Sequence, residues 1–261
     1  MSTAFAIGAH PDDIEFMMAG TLSMLRKKGF EIHYMNLASG NLGTFDHNSN
    51  SIKKIRLEEA QRSAHILGAH FHAPICDDLE IFYEKKTLLK LAAIVREVAP
   101  DIVLTHSPYD YAEDHTNTCR LAVSATFARS TPNLTTSPPV EPTLKDCTIY
   151  HCLPHTLRNQ LRERIFAGSF VNTITVMELK AKALDCHKSQ QRWLNNSQSI
   201  SSYVAEMERI SLKVGEESGI FQHAEGWRRH LHHGFGPPNY DPLSVLKEDY
   251  LVSEDYEKRL G

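Results

Sequence analysis

An α/β fold with a mainly parallel sheet and helices on both faces is predicted by three observations. Strand-like and helix-like patterns alternate through residues 1–130. The first strand, AFAIGA at 4–9, is apolar throughout, as in a strand buried on both sides. Gly29, Gly68 and Pro100 stop the helical patterns that precede them. The order is Rossmann-like, yet Gly8-Ala9-His10 does not continue into the G-x-G-x-x-G of dinucleotide sites.

The elements follow in chain order. IEFMMAGTLSMLRKK (14–28) has helical apolar spacing, and EIHYMNLA (31–38) reads as the second strand. The polar loop SGNLGTFDHNSNS follows. KKIRLEEAQRSAHIL (53–67) predicts a helix, HFHAPI (70–75) a short strand, and KTLLKLAAIVREV (86–98) an amphipathic helix. DIVLTH (101–106) is a strand and 114–129 a helix. STPNLTTSPPVEPT (130–143) is a surface loop, CTIYHCL (147–153) and FVNTI (170–174) are strands, and one long helix covers 175–192. A single domain over 1–261 is expected. Its core spans about 4–192, and 193–261 forms a less regular C-terminal extension over the site edge.

Composition narrows the function classes. The chain has 261 residues, 41% hydrophobic and 23% charged, enough for a core without disulfide staples. A net charge of -4 gives no basic excess for a nucleic-acid or anionic-membrane partner. The partner expected is a small molecule. Five scattered cysteines without a Cys-x-x-Cys pair read as reduced thiols of a cytoplasmic protein. Met1-Ser2-Thr3 leads straight into the first strand, unlike a signal peptide, and no apolar run approaches the ~20 residues that span a bilayer. The 15 histidines are an unusual number and point to metal or acid–base chemistry, although most must be bystanders.

Ligands in such sheets bind beyond the carboxyl ends of the strands. Three polar loops lie there: His10 to Asp13, Ser39 to Gly43, and His106 to His115. Alone, His10-Pro11-Asp12-Asp13 also reads as a capped turn, with Asp12 or Asp13 as the N-cap. The second stretch, HSPYDYAEDHTNT (106–118), shifts that balance. The two loops together can give His, Asp and His to one ion. Three ligands with an open position describe a catalytic zinc site, and neither loop holds the cysteine usual in a structural one.

Ala9-His10-Pro11-Asp12-Asp13, then Glu15, and later Asp114-His115 resemble the LmbE/PIG-L family of zinc-dependent N-acetylglucosaminyl de-N-acetylases. Weaker matches follow in the expected order: Arg56-Leu57-Glu58-Glu59-Ala60, Lys182 through His187-Lys188-Ser189-Gln190, and His223-Ala224-Glu225. The resemblance covers residues 4 to about 227. It implies that His10, Asp13 and His115 bind Zn2+, with Fe2+ as the other candidate. It implies Asp12 as general base for attack of a zinc-bound water on an N-acetyl group of an amino sugar conjugate or similar small amide. It also implies a homo-oligomer, a trimer or hexamer. Arg56, Ser39, Asn41 and His223 become candidate substrate contacts. Asp114 and Glu15 become supports for the ligands, since neighbours such as Asp114 and His115 are strained as joint ligands.

One departure matters. Family members carry His-Pro-Asp-His where this chain has Ala112-Glu113-Asp114-His115. The histidine that acts there as acid or oxyanion partner is Ala112, which can do neither. Tyr111, His106, Tyr109 and His223 are the candidates to replace it. Two alternatives stand beside the hydrolase: a non-catalytic or weakly active metal-binding member, and a non-haem iron enzyme using the His/Asp/His triad. Substrate choice is expected in the loops 39–52, 76–84, 130–143 and 220–242.

Overall fold

The computed structural model describes residues 1–191, 193 and 202–260. Strands β1 (Thr3–Gly8), β2 (Glu31–Asn36), β3 (His70–His72), β4 (Ile102–Thr105) and β5 (Thr148–Cys152) run parallel. Strands β6 (Ser169–Asn172), β7 (Ala224–Arg229) and β8 (Tyr250–Val252) extend the sheet antiparallel. The order is β3-β2-β1-β4-β5-β7-β6-β8. The chain builds outward from β1 to β3, then returns to place β4 on the other side of β1. A crevice therefore opens beyond the carboxyl ends of β1 and β4.

Both faces of the parallel part are covered. Ala4 and Ala6 of β1 join the core beneath α1 (Asp13–Met17), α2 (Ala19–Lys27), α3 (Ser49–Leu67), α6 (Met177–Leu184) and α7 (Tyr203–Ser218). Phe5 and Ile7 join the core beneath α4 (Lys85–Val98) and α5 (Glu113–Phe127). Burial on two sides is why AFAIGA carries no polar alternation. Helix α3 starts at Asn48, whose side chain accepts from Ser51 N–H, and ends at Gly68 in the left-handed conformation. A short helix, α8 (Glu254–Leu260), follows β8.

Three expectations change. The helix expected over 14–28 breaks at Met18 into α1 and α2. Glu225 explains the break: its carboxylate accepts from Gly20 N–H at 2.8 Å and Thr21 N–H at 2.7 Å. It thus caps α2 as an acid at a helix N-terminus. Lys180 Nζ, 2.6 Å from the same carboxylate, balances its charge in the core. Gly20 permits this approach, since a Cβ there would lie 2.4 Å from Thr173 Cγ2. The helix expected over 175–192 ends at Leu184, and the chain turns before resuming helix at 188–191. Residue 192 lies outside the described residues. The turn carries His187 to within 3.3 Å of Glu15. Finally, 193–261 is not merely peripheral. It supplies β7, inside the sheet with Trp227 fully buried, and the edge strand β8.

Among the described residues no helix is long and apolar enough to cross a membrane. All five cysteines are free thiols.

Replacing Glu225 with alanine leaves Lys180 and two helix N–H groups buried without a partner. The expected loss is about 3–5 kcal/mol in urea unfolding. The exposed pair of Lys258 and Glu254 serves as control, and Lys258→Ala should leave the midpoint unchanged. A pH dependence arises at the β2–β3 edge, where His33, His70 and His72 stack. Burial, then the charges of His33 and His70, push His72 down to about 4 from its ordinary 6.5. Burial and His70 also lower His33. Between those pH values the unfolded chain binds protons that the folded chain refuses. Stability therefore falls as pH falls through that window. His72→Gln should flatten the decline in urea midpoint between about pH 7 and about pH 5.

Candidate active site at the carboxyl edge of the sheet

The first loop leaves β1 at Gly8 and enters α1 at Asp13. Asp12 would be the N-cap of α1, but its side chain makes no capping bond and its backbone has φ 120. The capped-turn reading therefore fails. A positive φ at a non-glycine residue is strained. Here it makes the neighbouring carboxylates diverge. Asp12 turns to Arg56 Nη2 at 3.1 Å and accepts from the Tyr203 hydroxyl. Asp13 turns the other way. One oxygen accepts from His10 N–H at 2.7 Å and lies 3.5 Å from His10 Nδ1 and 3.3 Å from His106 Nε2. The other lies 3.4 Å from His115 Nε2.

The second loop joins β4 to α5, whose first turn carries His115. Each histidine has a carboxylate behind it. Asp114 Oδ2 lies 3.0 Å from His10 Nε2 and also accepts from Leu79 N–H at 2.8 Å. Asp110 Oδ1 lies 3.2 Å from His115 Nδ1 and accepts from Ala112 N–H. These pairs leave His10 Nδ1 and His115 Nε2 facing Asp13. A carboxylate on the far nitrogen is the usual support of a metal-bound histidine. Ligand atoms of His10, Asp13 and His115 all lie within 4.8 Å of one another. The set fits a divalent cation. A second trio, His106, Asp110 and His115, is fully buried and shares His115. Of that trio only His115 lines the cavity.

The electrostatics agree with that fit. Burial alone would raise the Asp13 carboxyl, but His115, His106 and His10 hold it well below the usual range. Burial alone would lower His10, but Asp114 and Asp13 raise it to about 9. The carboxylates thus dominate, and their field favours positive charge. Asp12 differs: burial raises it to about 6 against the pull of Arg56.

A cavity of about 530 Å³ opens onto this cluster, lined among others by Asp12, Arg56, Leu79, Tyr111, Trp193 and Tyr203. Arg56 is buried and already committed: Nη2 donates to Pro11 O at 2.6 Å and to Asp12 Oδ2. A separate cavity of about 490 Å³ beside β5, β6 and β8 lies far from this cluster.

Several expected residues sit elsewhere. His106 is buried behind Asp13, where its Nε2 accepts from Ala9 N–H at 2.9 Å, so it faces no substrate. Ser39 and Asn41 hold the loop rather than line the cavity. Ser39 Oγ donates to Asp77, and Asn41 bonds Ser49 and Asp78 N–H. His223 lies outside the cavity, with its carbonyl accepting from Thr173 N–H. Glu15 touches no candidate ligand. It is buried between Ser63 and His187, where it fixes α1. Tyr111 lines the mouth, 45% exposed.

Three residues were missed. Asp110 stood in the quoted loop without a role. Tyr203 comes from a helix that no motif marked. His155 follows β5, lines the cavity, and places Nε2 3.4 Å from Asp13 Oδ1. The rule that picked the loops after β1 and β4 applies equally to β5, and would have found it.

The comparisons with known proteins fit this geometry. The family model for PIG-L, GlcNAc-PI de-N-acetylase, matches residues 5–126. The chain is similar to a diacetylchitobiose deacetylase of Thermococcus kodakarensis, 28% identical over 232 residues, 83% of this chain and 84% of the relative. It is also similar to a 4-oxalmesaconate hydratase of Pseudomonas putida, 27% identical over 199 residues, 72% of this chain and 74% of the relative. Among solved structures, a 4-carboxy-2-hydroxymuconate hydratase of Pseudomonas putida has a TM-score of 0.75 at 22% identity, covering 92% of this chain and 99% of that one. An N,N'-diacetylchitobiose deacetylase of Pyrococcus horikoshii has 0.72 at 24%, covering 93% of this chain and 88% of that one. At these identities the two structures speak for the fold alone.

Asp114→Ala should weaken zinc binding about 10–100-fold by freeing the His10 ring. Equilibrium dialysis measures it, and wild-type affinity in the variant would remove Asp114 as a support.

Proposed function

We propose that this chain, whose residues 5–126 match the PIG-L family model, is a zinc-dependent hydrolase of that family, removing an acetyl group from an amino sugar conjugate or similar small amide. One observation carries the reading: adjacent aspartates diverge, so that Asp13 lies between His10 and His115 while Asp12, paired with Arg56, faces the cavity. His10, Asp13 and His115 would hold the divalent cation, which when bound would supply Lewis acidity for an amide carbonyl and for the attacking water.

The chain's own groups do the rest. Asp12 takes the proton from the attacking water. Its elevated affinity for protons suits a group that must accept one and then give it to the departing amine. Arg56 and Tyr203 hold Asp12 in one orientation, so little reorganisation is needed. Leu79, Phe16 and Trp193 give the cavity an apolar side.

A second reading is addition of water across a carbon–carbon double bond of a small carboxylate. Ala112 favours it: hydration expels no amine, so it makes no demand for the histidine that the deacetylase pattern carries there. The hydratases among the relatives support it too.

One assay set separates the readings. Zinc-loaded protein is tested for free amine from N-acetylglucosamine and N,N'-diacetylchitobiose, and for loss of ultraviolet absorbance from an unsaturated dicarboxylate. Amine release is expected. Hydration alone would replace the first reading with the second, and turnover of neither would leave a metal-binding protein without activity. Asp12→Asn should lower turnover at least about 100-fold and keep the zinc. Unchanged turnover would remove Asp12 as the base.

A further inference from the structure

We propose that His155 takes over the oxyanion-binding role that Ala112 cannot fill, donating its Nε2–H to the oxygen on which negative charge develops. The proposal rests on the amide-hydrolase reading given above. Among the described residues His155 Nε2 is a buried nitrogen with no hydrogen-bond partner. An unpartnered buried polar atom is costly and asks for an explanation. It is aimed into the cluster, 3.4 Å from Asp13 Oδ1, with its ring edge-on to His115 at 5.4 Å. The ring is stacked on Phe16 at 4.8 Å with planes 28° apart, which fixes its direction. Pro154 precedes it, and the pair lies in the turn just past the end of β5.

The other candidates are disposed less well. His106 Nε2 is occupied by Ala9 N–H. Tyr109 is turned to solvent and His223 lies outside the cavity. Tyr111 is at the mouth. A ligand role for His155 fits less well than a donor role, because the set with all ligand atoms within 4.8 Å of one another is His10, Asp13 and His115 without it.

In the step concerned, water oxygen bonds to the acetyl carbon while Asp12 accepts the water's proton. The carbonyl π pair moves onto oxygen, and His155 donates a hydrogen bond there without losing its proton. When the carbon–nitrogen bond breaks, that pair returns to re-form the carbonyl. The proton on Asp12 goes to the amine nitrogen as it departs, and the acid, which keeps the second proton of the attacking water, ionises to acetate by giving that proton to the amine or to solvent. Neutral imidazole suffices for such a donor.

His155→Ala should lower kcat about 100–1000-fold with KM little changed. His155→Gln, which keeps an N–H donor, should recover most of it. A second readout needs no turnover. Acetate, whose carboxylate resembles the charged oxygen, is titrated into zinc-loaded protein by calorimetry. His155→Ala should bind it at least about 10-fold more weakly, with zinc content and melting temperature unchanged. Three results overturn the proposal: a wild type that binds no acetate, an alanine variant that binds it normally, or an alanine variant that loses zinc and so marks His155 as a ligand. If no acetamide is hydrolysed by the wild type, the amide-hydrolase reading fails, while the acetate titration still decides the donor.

Discussion

The left-handed backbone of Asp12 is the constraint on which the site depends. Strain of this kind costs on the order of 1–3 kcal/mol and persists only where the surroundings over-determine it. Here they do. Arg56 reaches from α3 and binds both the carbonyl before Asp12 and the Asp12 carboxylate. Its guanidinium fits only because Gly40 has no side chain: a Cβ there would lie 2.5 Å from Arg56 Cδ. Asp78 holds that glycine by accepting from the N–H groups of Gly40 and Leu42. On the other side Glu15 pins α1 to Ser63 of α3 and to His187. A strained turn is thus clamped by buried charges from three distant segments. A relaxed turn would let the two aspartates compete for one location and one role.

The same arrangement shows what local sequence conveys and what it hides. The strand pattern 4–9 and the polar residues after β1 and β4 were legible, because a buried strand and its carboxyl end leave a local signature. The cap of α2 was not, because Glu225 is about two hundred residues away and only the antiparallel β7 brings it home. Ser39 and Asn41 stood in the right loop but face its interior, since loop composition does not reveal which way a side chain points. His155 was hidden for a different reason: it lies past β5 with no acidic neighbour in sequence to mark it, and its partner Asp13 is supplied by the fold.

Adjacency in sequence was misleading in one further respect. Asp114 and His115 look like a carboxylate–histidine pair, but neighbours on a helix point in different directions. Asp114 instead supports His10 from the other loop, and Asp110, five residues before His115, supports His115. The two loops are therefore cross-braced. The first contributes two candidate ligands, His10 and Asp13, and the second contributes His115 and the carboxylates behind both histidines. Displacing the second loop would disturb both histidines at once, so cation binding and the positions of β4 and α5 are coupled.

That coupling bears on how one scaffold serves both deacetylation and hydration. Water activation by a base and a cation would be common to the two proposed reactions, and the residues proposed for it, Asp12, Asp13, His10 and His115, all fall within the stretch 5–126 that matches the family model. What distinguishes the reactions is the fate of charge after attack: an amine must depart in one, and a carbon must be protonated in the other. The groups placed to influence that stage, His155, Trp193 and Tyr203, line the cavity from outside the matched stretch. Leu79 meets them at the mouth, its own backbone in the left-handed region so that its N–H can hold Asp114. The half of the site proposed to make a nucleophile is therefore held by strain and buried charge, while the half proposed to select the electrophile is carried on the turn after β5, on α7 and on other loops. Tyr203 and His155 join the two halves, since Tyr203 acts on Asp12 and His155 Nε2 lies 3.4 Å from Asp13 Oδ1.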